Sequence, residues 1–351
     1  MENENLVGKQ IDSYLIIGHI KAGGVAVVYK AKKVGDPDTI PPVAIKVLQT
    51  SWAEHEEVVY RFLREGRIMQ KLQHPHIIPL YDFGMYNRRP YIVMEYLAGG
   101  SLADRLRQER GMSLKTSSQI LWQVADALDF AHNKKIIHRD LKPGNILLKD
   151  DTDNFAMLTD FGIARILEHT VLTQGGIMPG TPHYMSPEQA RGAERIDRYS
   201  DLYSFGVIAY LMVVGRLPFG GEPLAIVNQH MSAIPPTPSS LNPDLPKALD
   251  AVLLKMLEKN PKNRYPTALA FAEAFSKAVV GYERMVVTLS NRRPEENGGG
   301  SPPSKDLQNP EARVLMPIAP APDNRLLWLV IIGLALALVV IGVLLVLSRV
   351  R

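Results

Sequence analysis

A lysine stands inside an apolar strand, and it constrains the fold more than any other single feature. The run Val43-Ala44-Ile45-Lys46-Val47-Leu48 is short and β-prone, as a buried strand should be. A cation there must be met by an opposite charge, because a lone buried charge is too costly to keep. The following stretch supplies one. Helical spacing over residues 56–72 puts Phe62, Met69 and Leu72 on one face, and Glu65 falls on that same face. Each charge explains the other's burial if the helix packs on the strand with Glu65 opposite Lys46. The bland alternative, a helix-edge glutamate reaching solvent, leaves Lys46 unpaired.

The rest of the chain builds around that contact. Residues 91–96, Tyr91-Ile92-Val93-Met94-Glu95-Tyr96, read as another strand. Beyond about residue 117 helical patterns dominate, and residues 202–214 are apolar on almost every side, predicting a buried helix too short to span a membrane. Strands first and helices afterwards predict an α+β domain of two unequal lobes over 11–282. Cysteine is absent, which excludes disulfides and Cys-ligated zinc. The net charge is only +4, with no dense Lys/Arg stripe, so no nucleic-acid partner is expected.

Past the domain the composition changes. Residues 283–325 read as a juxtamembrane linker carrying Gly298-Gly299-Gly300-Ser301-Pro302-Pro303, Pro317, Pro320 and Pro322. Residues 326–347 contain no charged or strongly polar side chain. A helix of that length spans about 33 Å, against ~30 Å for a bilayer core, so one C-terminal transmembrane helix is predicted. Trp328 lies near one end, and Arg325 and Arg349 flank the run. Residues 348–351 form a short tail. The acidic, polar start lacks the pattern of a secretory signal.

The chemistry is carried by two short motifs. His138-Arg139-Asp140-Leu141-Lys142-Pro143-Gly144-Asn145 places an Asp that can take a hydroxyl proton, a Lys that can steady a transferring phosphoryl group, and an Asn that can ligate Mg²⁺. Asp160-Phe161-Gly162 adds a carboxylate suited to the same hard ion, Mg²⁺ or Mn²⁺ in its place. Either motif alone is weak evidence. Both, in this order after an Ala-Ile-Lys strand, are specific.

On these motifs, 11–282 resembles the eukaryotic-like Ser/Thr protein kinases, most closely the bacterial ones. The resemblance implies a two-lobed protein kinase fold, with a small β-rich N-lobe and a large helical C-lobe, that uses ATP. It makes Lys46 the residue on the α/β-phosphates, Glu65 its helix partner, and Asp140, Lys142, Asn145 and Asp160 the transfer and metal residues. Met94 is the implied gatekeeper, with Glu95 to Leu97 as the hinge against adenine and Val28, Ala44 and Leu147 sandwiching the ring. Ile20, Lys21, Ala22, Gly23, Gly24, Val25, Ala26, Val27 and Val28 form the implied phosphate-covering loop. Ser186-Pro187-Glu188 closes the implied activation segment, with Ser for the usual Ala. Glu188 is expected to pair with Arg264. Asp201 is expected to cap the buried helix and brace the catalytic loop. Lys142 and Gly180-Thr181-Pro182 fit the Ser/Thr class, with Thr181 near Asp140 and Lys142. Arg139 before the catalytic Asp implies control by phosphorylation, with Thr170 and Thr173 as candidate sites.

The loop departs from the family form. Lys21 and Ala26 stand where the first and third glycines belong, and Gly24 is an extra one. Lys21 adds a side chain and a charge above the ribose. That lends some support to a second reading, a membrane-anchored nucleotide-binding pseudokinase scaffold, but against it none of Lys46, Asp140 and Asp160 is lost. The expected partners are protein substrates with Ser or Thr, the cell membrane with the kinase domain cytoplasmic, and a second copy of the chain through the small-residue pair Gly333 and Ala337.

Overall fold

Alternation of inward and outward residues sets the first region. In the computed structural model, which describes residues 5–109, 111–150, 154–161, 182–193 and 196–290, it is a six-stranded antiparallel sheet in the order β1-β2-β3-β4-β6-β5. The strands are β1 (Gln10–Ile11), β2 (Tyr14–Ala22), β3 (Ala26–Lys33), β4 (Val43–Leu48), β5 (Leu80–Tyr86) and β6 (Arg89–Glu95). Period two divides their side chains between faces. Val27, Tyr29, Ile45, Val47, Tyr91 and Val93 pack in an outer cluster. Ala26, Leu48 and Ile92 face the other way and meet Val58 and Phe62 of the following helix.

Two helices intervene between β4 and β5: α1 (Thr50–Ala53) and α2 (Glu56–Gln70). Helix α2 buries Val58, Phe62, Glu65, Gly66 and Met69 on one stripe, the face its spacing predicts. It ends at Lys71, within two residues of the expected limit.

The second region is helical, apart from the short hairpin of β7 (Ile146–Leu148) and β8 (Ala156–Leu158). Its helices are α3 (Leu102–Gln108), α4 (Leu114–Asn133), α5 (Pro187–Ala190), α6 (Arg198–Val214), α7 (Pro223–Ser232), α8 (Pro238–Leu241), α9 (Lys247–Met256) and α10 (Ala268–Ser290). Helix α6 is buried nearly all round, as its composition demands. Gly206 lets it approach α9, since a Cβ there would lie 2.7 Å from Met256 Cγ. It stops at Gly215, whose φ of 78° and N–H bond to Leu211 form a left-handed cap. Helix α10 continues through 283–290, so the first residues assigned to the linker are helical in backbone.

One apolar cluster joins the regions. It runs from Ala44, Met69 and Met94 through Leu128 and Phe161 to Phe205 and Phe271. Thr170, Thr173, Thr181, the rest of the linker and the apolar segment 326–347 lie outside the described residues. Among the described residues no helix is long and apolar enough to cross a membrane.

Candidate active site

Lys46 shares its strand face with Ala44 and Leu48, which aims it under α2. Its Nζ donates to Glu65 Oε1 at 3.0 Å and to Asp160 Oδ1 at 2.9 Å. The strand, the helix and the loop after β8 therefore meet at one ammonium. Burial alone would pull Lys46 down, but the Asp160 and Glu65 carboxylates more than offset it and hold it above the ordinary lysine range. Burial pushes Glu65 up, and Lys46 only partly reverses this. Burial also opposes ionisation of Asp160, yet Lys46, then Lys142 and His138, keep it below the usual carboxylate range.

The catalytic loop is held by a carboxylate inside α6. Asp201, fully buried, accepts from the backbone N–H groups of His138 at 2.8 Å and Arg139 at 2.7 Å, and from His132 Nε2 at 2.8 Å. Arg139 has φ 68°, a left-handed conformation that non-glycine residues seldom adopt, and Asp201 bonds its amide directly. The structure corrects one expectation here. The cap of α6 is Asp197, which accepts from Tyr199 N, while Asp201 sits within the first turn. Its carboxylate braces the loop and is not available as a cap.

This bracing presents Asp140 to the cleft. Lys142 Nζ donates to Asp140 Oδ2 at 2.5 Å, and Asn145 Nδ2 donates to the carbonyl and Oδ2 of Asp140 at 2.8 and 3.1 Å. The Asn145 amide nitrogen is thus engaged, which leaves Oδ1 as its ligand atom. Asp160 likewise retains Oδ2 beside the oxygen bonded to Lys46. One carboxylate oxygen and one amide oxygen are the hard donors Mg²⁺ takes when phosphates complete its shell. The donor set fits that ion. Among the described residues no group of three or more His, Asp or Glu forms a self-sufficient metal site, so phosphate would have to supply the other ligands.

Asp160 is itself kept in place by its neighbours. It has φ 55°, and Phe161 next to it lies 4.8 Å from the His138 ring. His138 Nε2 donates to the Thr159 carbonyl at 3.0 Å, and burial keeps its imidazole below the usual range.

The residues that the resemblance sets against adenine lie along β3, β4, β6 and β7 and just past the end of β6. Ala44 pairs with Met94 across β4 and β6, and the Thr159 hydroxyl contacts Met94 Sδ at 3.9 Å. Glu95 ends β6, Leu97 is buried just beyond, and Val28 and Leu147 border the shared core from opposite regions.

The phosphate loop is the tip of the β2–β3 hairpin, closed by Gly23 N–H on the Ala26 carbonyl at 2.9 Å. A Cβ on Gly23 would sit 3.3 Å from that oxygen, whereas Gly24 has open space, so Gly23 is the constrained glycine. Ala26 is buried against Phe62, which explains a side chain at that glycine position. Ile20, Lys21 and Ala22 are exposed along β2, and Val25 is half-buried. Lys21 Nζ lies 3.8 Å from where a Gly144 Cβ would be, so its ammonium reaches the catalytic loop across the cleft. Val27 is a correction. Its side chain packs in the outer cluster, on the opposite face from Val28 and Lys46, so only its backbone lies on the side where the resemblance puts the nucleotide.

Glu188 and Arg264 form the expected clamp. The guanidinium donates to both carboxylate oxygens at 2.8 and 3.0 Å, and also to the Tyr199, Glu258 and Lys259 carbonyls. Ser186, in place of the usual Ala, caps α5 in a reciprocal capping box with Gln189. The same Gln189 donates to the Arg139 carbonyl at 2.8 Å, linking α5 to the catalytic loop.

Sequence reasoning missed His132, Gln189, Gln49 and Trp52. The Ser186-to-Gln189 spacing is a readable capping-box signal, and His132 is a polar residue on the buried face of α4. Gln49 and Trp52 carry no such signal. Their side chains donate to the phosphate-loop carbonyls of Gly23 at 2.6 Å and Gly24 at 2.9 Å.

A family model described as the protein kinase domain matches residues 14–276. A probable serine/threonine-protein kinase of Clostridium acetobutylicum is 37% identical over 272 residues, covering 77% of this chain and 40% of that protein. The serine/threonine-protein kinase PrkC of Bacillus subtilis is 38% identical over 265 residues, covering 75% of this chain and 40% of PrkC. The chain therefore spans about 40% of the length of the first of its curated relatives. Among solved structures, the PknI kinase domain of Mycobacterium tuberculosis superposes with a TM-score of 0.62 at 28% identity, covering 78% of this chain and 100% of that one. Rad53 1–466 in complex with AMP-PNP gives 0.62 at 26% identity, covering 75% and 64%.

Proposed function

This chain belongs to the protein kinase family, and we propose that it is an ATP-dependent Ser/Thr protein kinase. One observation carries the proposal: a single strand lysine bonds the helix carboxylate Glu65 and the loop carboxylate Asp160 together. That contact unites the two halves of a phosphoryl-transfer site. Lys46 exchanges its Asp160 bond for oxygens of the α/β-phosphates, with Glu65 fixing its direction. Asp140 orients a Ser or Thr hydroxyl and accepts its proton. The hydroxyl oxygen bonds to the γ-phosphorus as the bond to the β–γ bridging oxygen breaks, and ADP leaves. Lys142, on Asp140 in this structure, is within reach of the charge on the moving phosphoryl group. Asp160 and Asn145 would hold Mg²⁺, which offsets phosphate charge when bound.

The scaffold reading draws on Lys21, whose ammonium spans the cleft toward Gly144. The intact Lys46, Asp140, Asn145 and Asp160 weigh against it. The deciding test incubates the purified full chain with labelled ATP, Mg²⁺ and peptides bearing Ser, Thr or Tyr. Label on Ser or Thr is expected. Nucleotide binding without transfer to itself or to any peptide would establish the scaffold instead.

The length and apolarity of 326–347 support single-pass anchoring in the cell membrane, with the domain on the ATP-supplied cytoplasmic side. Gly333 and Ala337 support pairing of two such helices. Deleting 326–351 should release the protein from the membrane fraction, and recovery of the full chain as soluble protein would contradict anchoring. Arg139 supports activation by autophosphorylation at Thr170 and Thr173, since a phosphate there adds nearly two negative charges for it to meet. Phosphopeptide mapping after ATP incubation should find one or both modified.

A further inference from the structure

A loop that covers phosphates must turn its N–H groups inward and its carbonyls away. Peptide groups can rotate, and glycine-rich tips rotate most easily. Here the carbonyls are taken up on one side. Gln49 Nε2 donates to Gly23 O at 2.6 Å, Trp52 Nε1 donates to Gly24 O at 2.9 Å, and the Gln49 backbone N–H donates to Val25 O at 2.9 Å. Gln49 is buried at the end of β4, and Trp52 lies in α1, on the path into the helix that carries Glu65.

The described peptide bonds are all trans, so each N–H points opposite to the carbonyl of its own peptide group. Fixing the Gly23 and Gly24 carbonyls therefore turns the amides of Gly24 and Val25 away from the tether. Among the described residues neither amide has a backbone acceptor. Two oriented, unpaired N–H donors at a loop tip are an anion site in waiting.

We propose that Gln49 and Trp52 are positioning residues for nucleotide phosphates: they hold the loop carbonyls outward so that the Gly24 and Val25 amides face ATP. The assignment rests on the kinase reading for the identity of the nucleotide. It also compensates for the glycines this loop lacks. Lys21 and Ala26 restrict the backbone on either side, and the side-chain tether orients the two glycines between them.

The test uses the full chain with Trp52→Phe, which keeps the ring and removes the N–H, and with Gln49→Met, which keeps the length and removes the donor. Binding of ATP and of adenosine is measured directly, beside KM for ATP and kcat. Each variant should weaken ATP binding and raise its KM by about threefold to tenfold, the size expected for one lost hydrogen bond. The pair should do so more strongly, with kcat and adenosine affinity unchanged. Equal weakening of ATP and adenosine would show a general loss of structure and overturn the proposal, as would unaltered ATP affinity in Trp52→Phe. If the double variant does not fold, Trp52→Phe alone decides. If wild type binds ATP but transfers nothing, the kinase reading falls, and the binding comparison still decides the positioning role.

Discussion

Lys46 carries the pairing that constrained the fold from the start. Its ammonium bonds both Glu65 and Asp160, so its removal exposes what each carboxylate does alone. Glu65 is 3% exposed, and burial already holds it above its ordinary value of 4.5. A carboxyl raised in the folded state favours the protonated form, so its contribution to stability is lost as pH rises through the folded value. Lys46→Met removes the group that opposes this rise. The variant should lose phosphoryl transfer yet stay folded, and its melting temperature should fall more steeply than that of wild type as pH rises above ~4.5. A parallel pH profile in thermal unfolding would show that Glu65 does not depend on Lys46. This pair was legible because a charge in an apolar pattern demands a partner. The roles of Gln49 and Trp52 were not, because a polar side chain next to a strand end is ordinary until its distant acceptor is known.

Helix α6 illustrates what patterning reveals and what it leaves open. Its uniform apolarity announced burial, but the helix start was misplaced. Asp197 and Asp201 are both plausible caps by residue type, and only the bonds of Asp201 to His138, Arg139 and His132 show that it belongs to the catalytic loop. Likewise, strand alternation was readable across β3, but which face met the nucleotide was not, so Val27 was grouped with Val28. Asp201→Asn tests the bracing. An amide has a single acceptor oxygen and turns an NH₂ toward at least one of these three donors. Stability should drop by about 1–3 kcal/mol in denaturant unfolding, with transfer reduced as Arg139 loses its restraint. Unchanged stability and rate would remove Asp201 from the machinery.

Across the molecule, the Glu188–Arg264 clamp ties the end of the activation segment to the segment between α9 and α10. Arg264 is 3% exposed and Glu188 is half-buried, so Arg264→Ala leaves a partly buried carboxylate without its guanidinium and should cost about 2–3 kcal/mol. Burial opposes ionisation of Glu188, but Arg264 overcomes it and holds the carboxyl below its ordinary 4.5. A depressed carboxyl stabilises the fold fully above the unfolded value and loses that contribution as pH falls through the folded one. The stability of wild type should therefore decline below pH ~4.5, and Glu188→Gln should start lower and decline less in acid unfolding curves. The clamp was legible at long range only through the family resemblance, since no local pattern links residues so far apart.

Separating binding from transfer tests the central claim, that this cleft performs phosphoryl transfer with Asp140 as its proton acceptor. ATP affinity and the single-turnover transfer rate to a Ser/Thr peptide are measured together in the full chain and in Asp140→Asn. Equal affinity is expected in both, with the rate in the variant lower by at least about a hundredfold. Equal rates, or an inert wild-type chain that binds ATP normally, would contradict it.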